Sequence, residues 1–124
     1  MQKKLTIQLY KKYPELFGQV FYTIERSGMG FGFQCGDGWY GILTIVCDLL
    51  SNHSLQSGLD IKFVQVKEKY GGLRIYIQNS DKYTDGVCEF AEEMSYHICE
   101  LCGNKGKVFG ERWIMTRCEN CKTE

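Results

Sequence analysis

Three observations predict an α+β fold: a small antiparallel sheet packed against two helices, with a C-terminal zinc-ribbon-like module. Apolar residues recur at helical spacing in two segments, one segment alternates with period two around Gly71-Gly72, and two Cys-x-x-C pairs lie near the C-terminus. At 124 residues the chain suffices for one compact core, and 44% hydrophobic with 24% charged residues is a globular composition, not a disordered one. The division expected is a core domain over 1–98 and a ribbon module over 99–124, continuous with it.

Residues 2–13 read as a helix that must stop before Pro14, because the residue preceding proline avoids the α region. Gln19 to Arg26, rich in aromatic and β-branched residues, reads as a strand, and Ser27 to Gly38 as a glycine-punctuated loop or irregular strand. Asp37 is a plausible N-cap for the next helix, whose buried face would be Ile42, Leu43, Val46, Leu49 and Leu50 and which Ser51-Asn52-His53 would end. Around a two-residue turn at Gly71-Gly72, Lys69 would pair with Arg74, Lys67 with Tyr76 and Val66 with Ile77. That register gathers Val64, Val66, Tyr70, Leu73, Ile75 and Ile77 on one face, with Glu68 the misfit, and Gln65, Lys67, Lys69, Arg74, Tyr76 and Gln78 on the other. Thr84 can cap a second helix with an apolar stripe of Val87, Phe90, Ala91, Met94, Ile98 and Leu101 and an acidic outer face of Glu89, Glu92 and Glu93.

The strongest chemical signal is Cys99-Glu100-Leu101-Cys102, followed after fifteen intervening residues by Cys118-Glu119-Asn120-Cys121. Two such turns bring four thiolates onto one ion at the spacing of structural zinc sites, resembling a zinc ribbon. Four thiolates leave no open coordination position, so the Zn2+ expected on Cys99, Cys102, Cys118 and Cys121 is structural rather than catalytic. The rival readings are two disulfides or a redox dithiol pair. The absence of a signal-peptide apolar run, and of any stretch near the roughly 20 apolar residues of a membrane span, makes the reduced cytosol the expected compartment and metal the expected ligand.

The remaining constellations are weaker. Cys35, at a probable helix N-terminus, could carry a depressed pKa and act as a nucleophile, but neither His53 nor His97 has a sequence reason to meet it. Glycines 28, 30 and 32 match neither the dinucleotide fingerprint nor the phosphate loop. Zero net charge, from 15 basic and 15 acidic residues, speaks against a general polyanion binder. It is nonetheless a cancellation: residues 60–74 carry four basic and two acidic side chains, residues 81–100 one basic and six acidic. Lys67, Lys69, Arg74 and Tyr76 on one hairpin face could hold phosphates and stack a base, with Trp39 and Tyr70 as further stacking surfaces; the alternative is an ordinary solvated sheet face. Aromatic residues make up 14% of the chain, more than a small core needs, and some are expected to line a pocket.

Taken together, Phe33-Gln34-Cys35-Gly36-Asp37-Gly38-Trp39-Tyr40, Val66-Lys67-Glu68-Lys69-Tyr70-Gly71-Gly72-Leu73-Arg74 and Cys99-Glu100-Leu101-Cys102-Gly103 resemble a family of small proteins encoded by bacteriophages and prophages. Many such sequences end the second metal pair in Cys-x-x-His; here Cys121 holds that position, which suits a four-thiolate site. The resemblance implies an accessory protein acting in the host cytoplasm, without implying an activity. The function expected is therefore non-enzymatic: binding of a host-derived small anionic ligand or host protein, counteracting antiviral defence by sequestering a nucleotide-like signal. The alternatives are a zinc-ribbon nucleic-acid or transcription-machinery module, less favoured on charge, and a cysteine-dependent enzyme using Cys35. No membrane partner is expected, and self-association is left open.

Overall fold

The computed structural model describes residues 1–18, 29 and 32–122; the strand expected over 19–26 and the glycines at 28 and 30 lie outside them. Three helices, α1 (Lys3–Lys12), α2 (Tyr40–Ser57) and α3 (Lys82–Ser95), accompany a three-stranded sheet and a two-stranded ribbon. The sheet is ordered β1 (Phe33–Gln34), β2 (Lys62–Lys69), β3 (Gly72–Gln78), and the ribbon pairs β4 (Lys107–Phe109) with β5 (Met115–Arg117). The α+β class holds. The short β1 adds a parallel edge, Phe33 opposite Val66, so the sheet is mixed rather than purely antiparallel.

The core forms where the inner face of α2 (Leu43, Val46, Cys47, Leu50) meets Phe63, Val66 and Leu73 of the sheet and Leu9, Leu16 and Phe17 from the N-terminal segment. Phe17 stacks on Phe63 with ring centroids 4.7 Å apart and meets Phe33 edge-on at 5.6 Å. Of the aromatics that exceeded the expected needs of a core, Phe33 and Trp39 are core residues, while Tyr76 lines a cavity.

The hairpin turn is made by Tyr70-Gly71, not Gly71-Gly72, and Lys69 pairs with Gly72, Lys67 with Arg74 and Val66 with Ile75. Both turn residues have positive φ, +53° and +84°, as a type I′ turn demands. The shift moves each pairing by two positions, which keeps the faces as expected. Gly72 serves another purpose: a Cβ there would lie 2.6 Å from a ring carbon of Tyr96. Glu68, the misfit, accepts the Gly71 N–H at 2.8 Å and so closes the turn. A bulge between Phe63 and Gln65 puts Phe63 in the core and leaves Val64, expected on the buried face, only half-buried.

Three helix boundaries differ from expectation. Asp37 does not cap α2; it lies in a 3-10 turn (Asp37–Trp39), and its oxygens accept the Gln2 backbone and side-chain N–H groups at 2.8 and 2.6 Å, fixing the start of α1. Helix α2 runs past Ser51-Asn52-His53 to Ser57, where Gly58 at φ +79° donates to the Ser54 carbonyl and ends it in the left-handed conformation that glycine accepts most readily. The N-cap of α3 is Asp81, whose carboxylate accepts the Thr84 N–H at 3.0 Å while the Thr84 hydroxyl accepts the Asp81 N–H at 2.8 Å. His53 contacts the same carboxylate at 2.7 Å and stacks on Tyr83 at 4.3 Å, tying α2 to α3.

The Thr84 N–H, then His53, hold the Asp81 carboxyl below its ordinary value. A depressed carboxyl pKa stabilises the fold above the unfolded-state value and loses that contribution as pH falls through the folded one. Asp81→Asn is therefore expected to melt below wild type at pH 7, and the two melting temperatures to converge under acid conditions that protonate Asp81. Thermal unfolding followed by circular dichroism across pH checks this.

Candidate metal centre and its seat

Cys99 and Cys118 are buried, Cys121 is half-buried and Cys102 is exposed, and their four sulfurs all lie within 4.8 Å of one another. The Cys102 and Cys118 sulfurs are 3.6 Å apart. Zinc–sulfur bonds of about 2.3 Å place the edges of a tetrahedron near 3.8 Å, whereas a disulfide needs about 2.0 Å. The cluster can therefore hold a metal ion, and its separations fit a four-thiolate tetrahedron. Burial opposes ionisation of the Cys99 thiol, but N–H groups of Cys102, Cys118 and Leu101 directed at its sulfur outweigh burial and lower its pKa. Such N–H donors stabilise the thiolate a metal requires.

The knuckle sits on the glycine loop. Gly38 N–H donates to the Glu100 carbonyl at 2.7 Å, the Trp39 indole N–H to the Ile98 carbonyl at 2.8 Å, and Gly36 N–H to the Glu100 carboxylate at 3.0 Å. The other oxygen of that carboxylate pairs with Arg117 at 3.1 Å, so Glu100 joins the loop to β5. A second anchor comes from Thr116, fully buried, whose hydroxyl donates to the Gly71 carbonyl of the hairpin turn at 2.6 Å. The Cys-Gly-Asp-Gly-Trp motif is thus a docking surface for the first Cys-x-x-Cys turn. Sequence reasoning missed this role because the contacts join residues about 60 positions apart along the chain.

The other thiols are placed against chemistry. Desolvation pushes the Cys35 thiol up to about 12, the reverse of the depressed value expected at a helix start. Cys35 precedes the 3-10 turn and is buried beneath it, while His53 is committed to Asp81 and His97 is exposed. Burial likewise raises Cys47 and Cys88.

The six residues proposed from sequence to bind an anion are only partly brought together: Lys67 lies opposite Arg74 on the hairpin, and Arg74 and Tyr76 share a cavity. Trp39 is 0% exposed, its edge spent on Ile98, so it cannot stack on a base. Arg74 is half-buried and paired with Glu92 at 3.4 Å. The cavity beside Arg74 and Tyr76, about 420 Å3, includes Asp85, Glu89 and Glu92 but neither Lys67 nor Lys69 nor any residue of the Cys35 loop. Three carboxylates around one arginine disfavour a phosphate. Lys69 and Tyr70 lie on the surface, the ammonium 5.8 Å from its neighbour's ring centroid.

A larger cavity, about 660 Å3, opens between α2 and α3 and is lined by Ile42, Ile45, Leu49, Phe90 and Met94 among others. It exists because α3 lies on the sheet through Thr84, Ala91 and Ser95, so that of the apolar stripe expected to be buried only Ala91 is, with Val87 and Ile98 partly buried against the core. The Ser95 hydroxyl accepts the Leu73 N–H at 2.9 Å, and these small side chains allow a close approach to β3. Phe90, Met94 and Leu101 of the stripe consequently stay exposed.

No protein-family model, no curated protein and no solved structure matches the chain. Among the described residues, no helix is long and apolar enough to cross a membrane.

Proposed function

We propose that the chain is a non-enzymatic binding protein whose C-terminal cysteines hold a structural zinc ion. The observation that carries this is the closed set of four converging sulfurs, seated by Glu100 and the Ile98 carbonyl on the core loop. A four-thiolate ion has no position for substrate or water, and it fastens β4 and β5 to the hairpin and the start of α2. The remaining thiols are desolvated and unpaired with any base, which supports binding over cysteine chemistry. Action on a host component in the cytoplasm, as the phage-like motifs imply, belongs to the same proposal. The partner favoured is a host protein, because Trp39 is buried, Arg74 is paired with Glu92, and carboxylates crowd the cavity beside it.

Native mass spectrometry of the intact protein is expected to give one zinc per chain. In that zinc-loaded protein, a thiol reagent should label Cys35 no faster than a buried thiol. A metal-free folded protein, or rapid labelling at Cys35, overturns the reading.

A further inference from the structure

We propose that the outer edge of β3 is a strand-addition site, where an extended segment of a protein partner, bearing lysine or arginine, pairs with Ile75 and Ile77. This rests on the reading of the chain as a binding protein and names its site. The sheet ends at β3, whose one strand neighbour among the described residues is β2. In the hairpin register Gly72, Arg74 and Tyr76 turn their N–H and C=O groups to β2, so Leu73, Ile75 and Ile77 turn theirs away. The Leu73 N–H marks that direction, because it donates to the Ser95 hydroxyl of α3 at 2.9 Å. Past Leu73, the outward N–H and C=O groups of Ile75 and Ile77 meet no partner among the described residues. Unpaired groups in a row along a strand are a template for a further strand.

Space for that strand lies beside the edge. Helix α3 touches β3 at Ser95, and further along the two are separated by the cavity of about 420 Å3. Ile75, Tyr76 and Ile77 line its β3 side, and Asp85, Cys88 and Glu89 its α3 side. A slot between a sheet edge and a helix is where extended peptides dock by main-chain pairing, about 4.8 Å from the strand they join. Because Ser95 occupies the edge at Leu73, the site is short, about 7 Å from Ile75 to Ile77 at about 3.4 Å per residue.

Charge selects the segment. Arg74 is the only cation lining this cavity, and it is paired with Glu92. Asp85 and Glu89, one turn apart on the α3 wall, are exposed and have no ion-pair partner among the described residues. A lysine or arginine side chain on the added strand would meet these two carboxylates. A second copy of this chain fits worse, since a symmetric pairing of β3 edges would bring the same carboxylates together and set one α3 against the other.

The test uses two fluorescent nonapeptides, valine alternating with lysine in one and with glutamate in the other, read by anisotropy against the zinc-loaded protein. The lysine peptide is expected to bind at least tenfold more tightly than the glutamate peptide, and Asp85→Lys with Glu89→Lys to remove that preference. Bound lysine peptide should slow amide exchange at Ile75 and Ile77 at least tenfold and leave Arg74 and Tyr76, already paired with β2, unchanged. Backbone N-methylation separates strand pairing from charge attraction, since the valine and lysine amides of an extended peptide point to opposite edges. Methylating one set should abolish binding and methylating the other should spare it. Equal binding of the lysine and glutamate peptides, binding of neither, no added protection at Ile75 and Ile77, or the same response to both methylated sets overturns the assignment. Zinc content is measured on the same samples: a protein that holds one zinc and ignores the peptides loses the edge site alone, whereas a metal-free folded protein overturns the metal-braced reading.

Discussion

Removing the metal from Cys99, Cys102, Cys118 and Cys121 is expected to unfold the ribbon over residues 99–121 and to loosen the core where the ribbon is attached. The pairing of β4 with β5 covers three residues on each strand, and Val108 and Trp113 are exposed, so the ribbon has little buried apolar surface of its own. An isolated two-stranded hairpin is marginal in water, whereas a structural zinc contributes about 10–16 kcal/mol of apparent binding energy to small zinc-dependent peptides at neutral pH. That term dominates anything the ribbon's own contacts supply. Loss of the knuckle also strips Trp39 of its acceptor at Ile98 and Gly36 of its acceptor on Glu100, so the effect reaches the start of α2. Amide hydrogen exchange with and without a strong chelator, and on Cys99→Ser, should show protection lost over 99–121 and reduced over 36–43, with α1 and the β2–β3 pairing retained. Unchanged protection in the ribbon after chelation would end the idea that metal holds it.

Gly38→Ala is expected to be among the most damaging single substitutions in the chain, although it adds one methyl group. The φ of Gly38 is not in the left-handed region, so the need for glycine is one of space, not conformation. A Cβ there would fall inside contact distance of the Cys99 carbonyl oxygen and lie 2.6 Å from the Gly103 nitrogen. These are backbone atoms of the metal turn and cannot rotate away. Either the Gly38–Glu100 hydrogen bond is lost or the knuckle moves off its seat. Overpacking into rigid surroundings costs about 1–3 kcal/mol and at times more, and this site belongs at the upper end. The variant should retain its zinc, because the four ligands are untouched, while melting well below wild type. Chemical denaturation with a zinc assay on the same sample checks both. A midpoint equal to wild type would show that the loop and the knuckle are not in the contact described.

Much of this was legible in the chain. Alternation around Gly71-Gly72 located the hairpin and its faces, and the cysteine spacing located the four sulfurs that can hold a metal ion, because such geometry is nearly local. The register was misplaced by two residues, since Gly71-Gly72 reads locally as the turn while Tyr96, 24 positions beyond Gly72, is what requires the second glycine. The end of α2 was placed too early because serine and asparagine are only weak stop signals, whereas Gly58 in the left-handed conformation is decisive. The stripe on α3 was read correctly as apolar, but Ala91 alone of it is buried, while Phe90, Met94 and Leu101 are exposed. Periodicity reports which residues share a helix face, but not which face the sheet will take.

The sequence by itself determined the α+β class, the hairpin faces and the four sulfurs, all set by periodicity or short spacing. Only the tertiary structure decided that the Cys-Gly-Asp-Gly-Trp loop seats the metal turn, that Arg74 is spent on Glu92, and that α3 leans on β3 through Thr84, Ala91 and Ser95. Each of those depends on close approach between distant segments, where the size of one side chain chooses the contact and no local pattern records the choice.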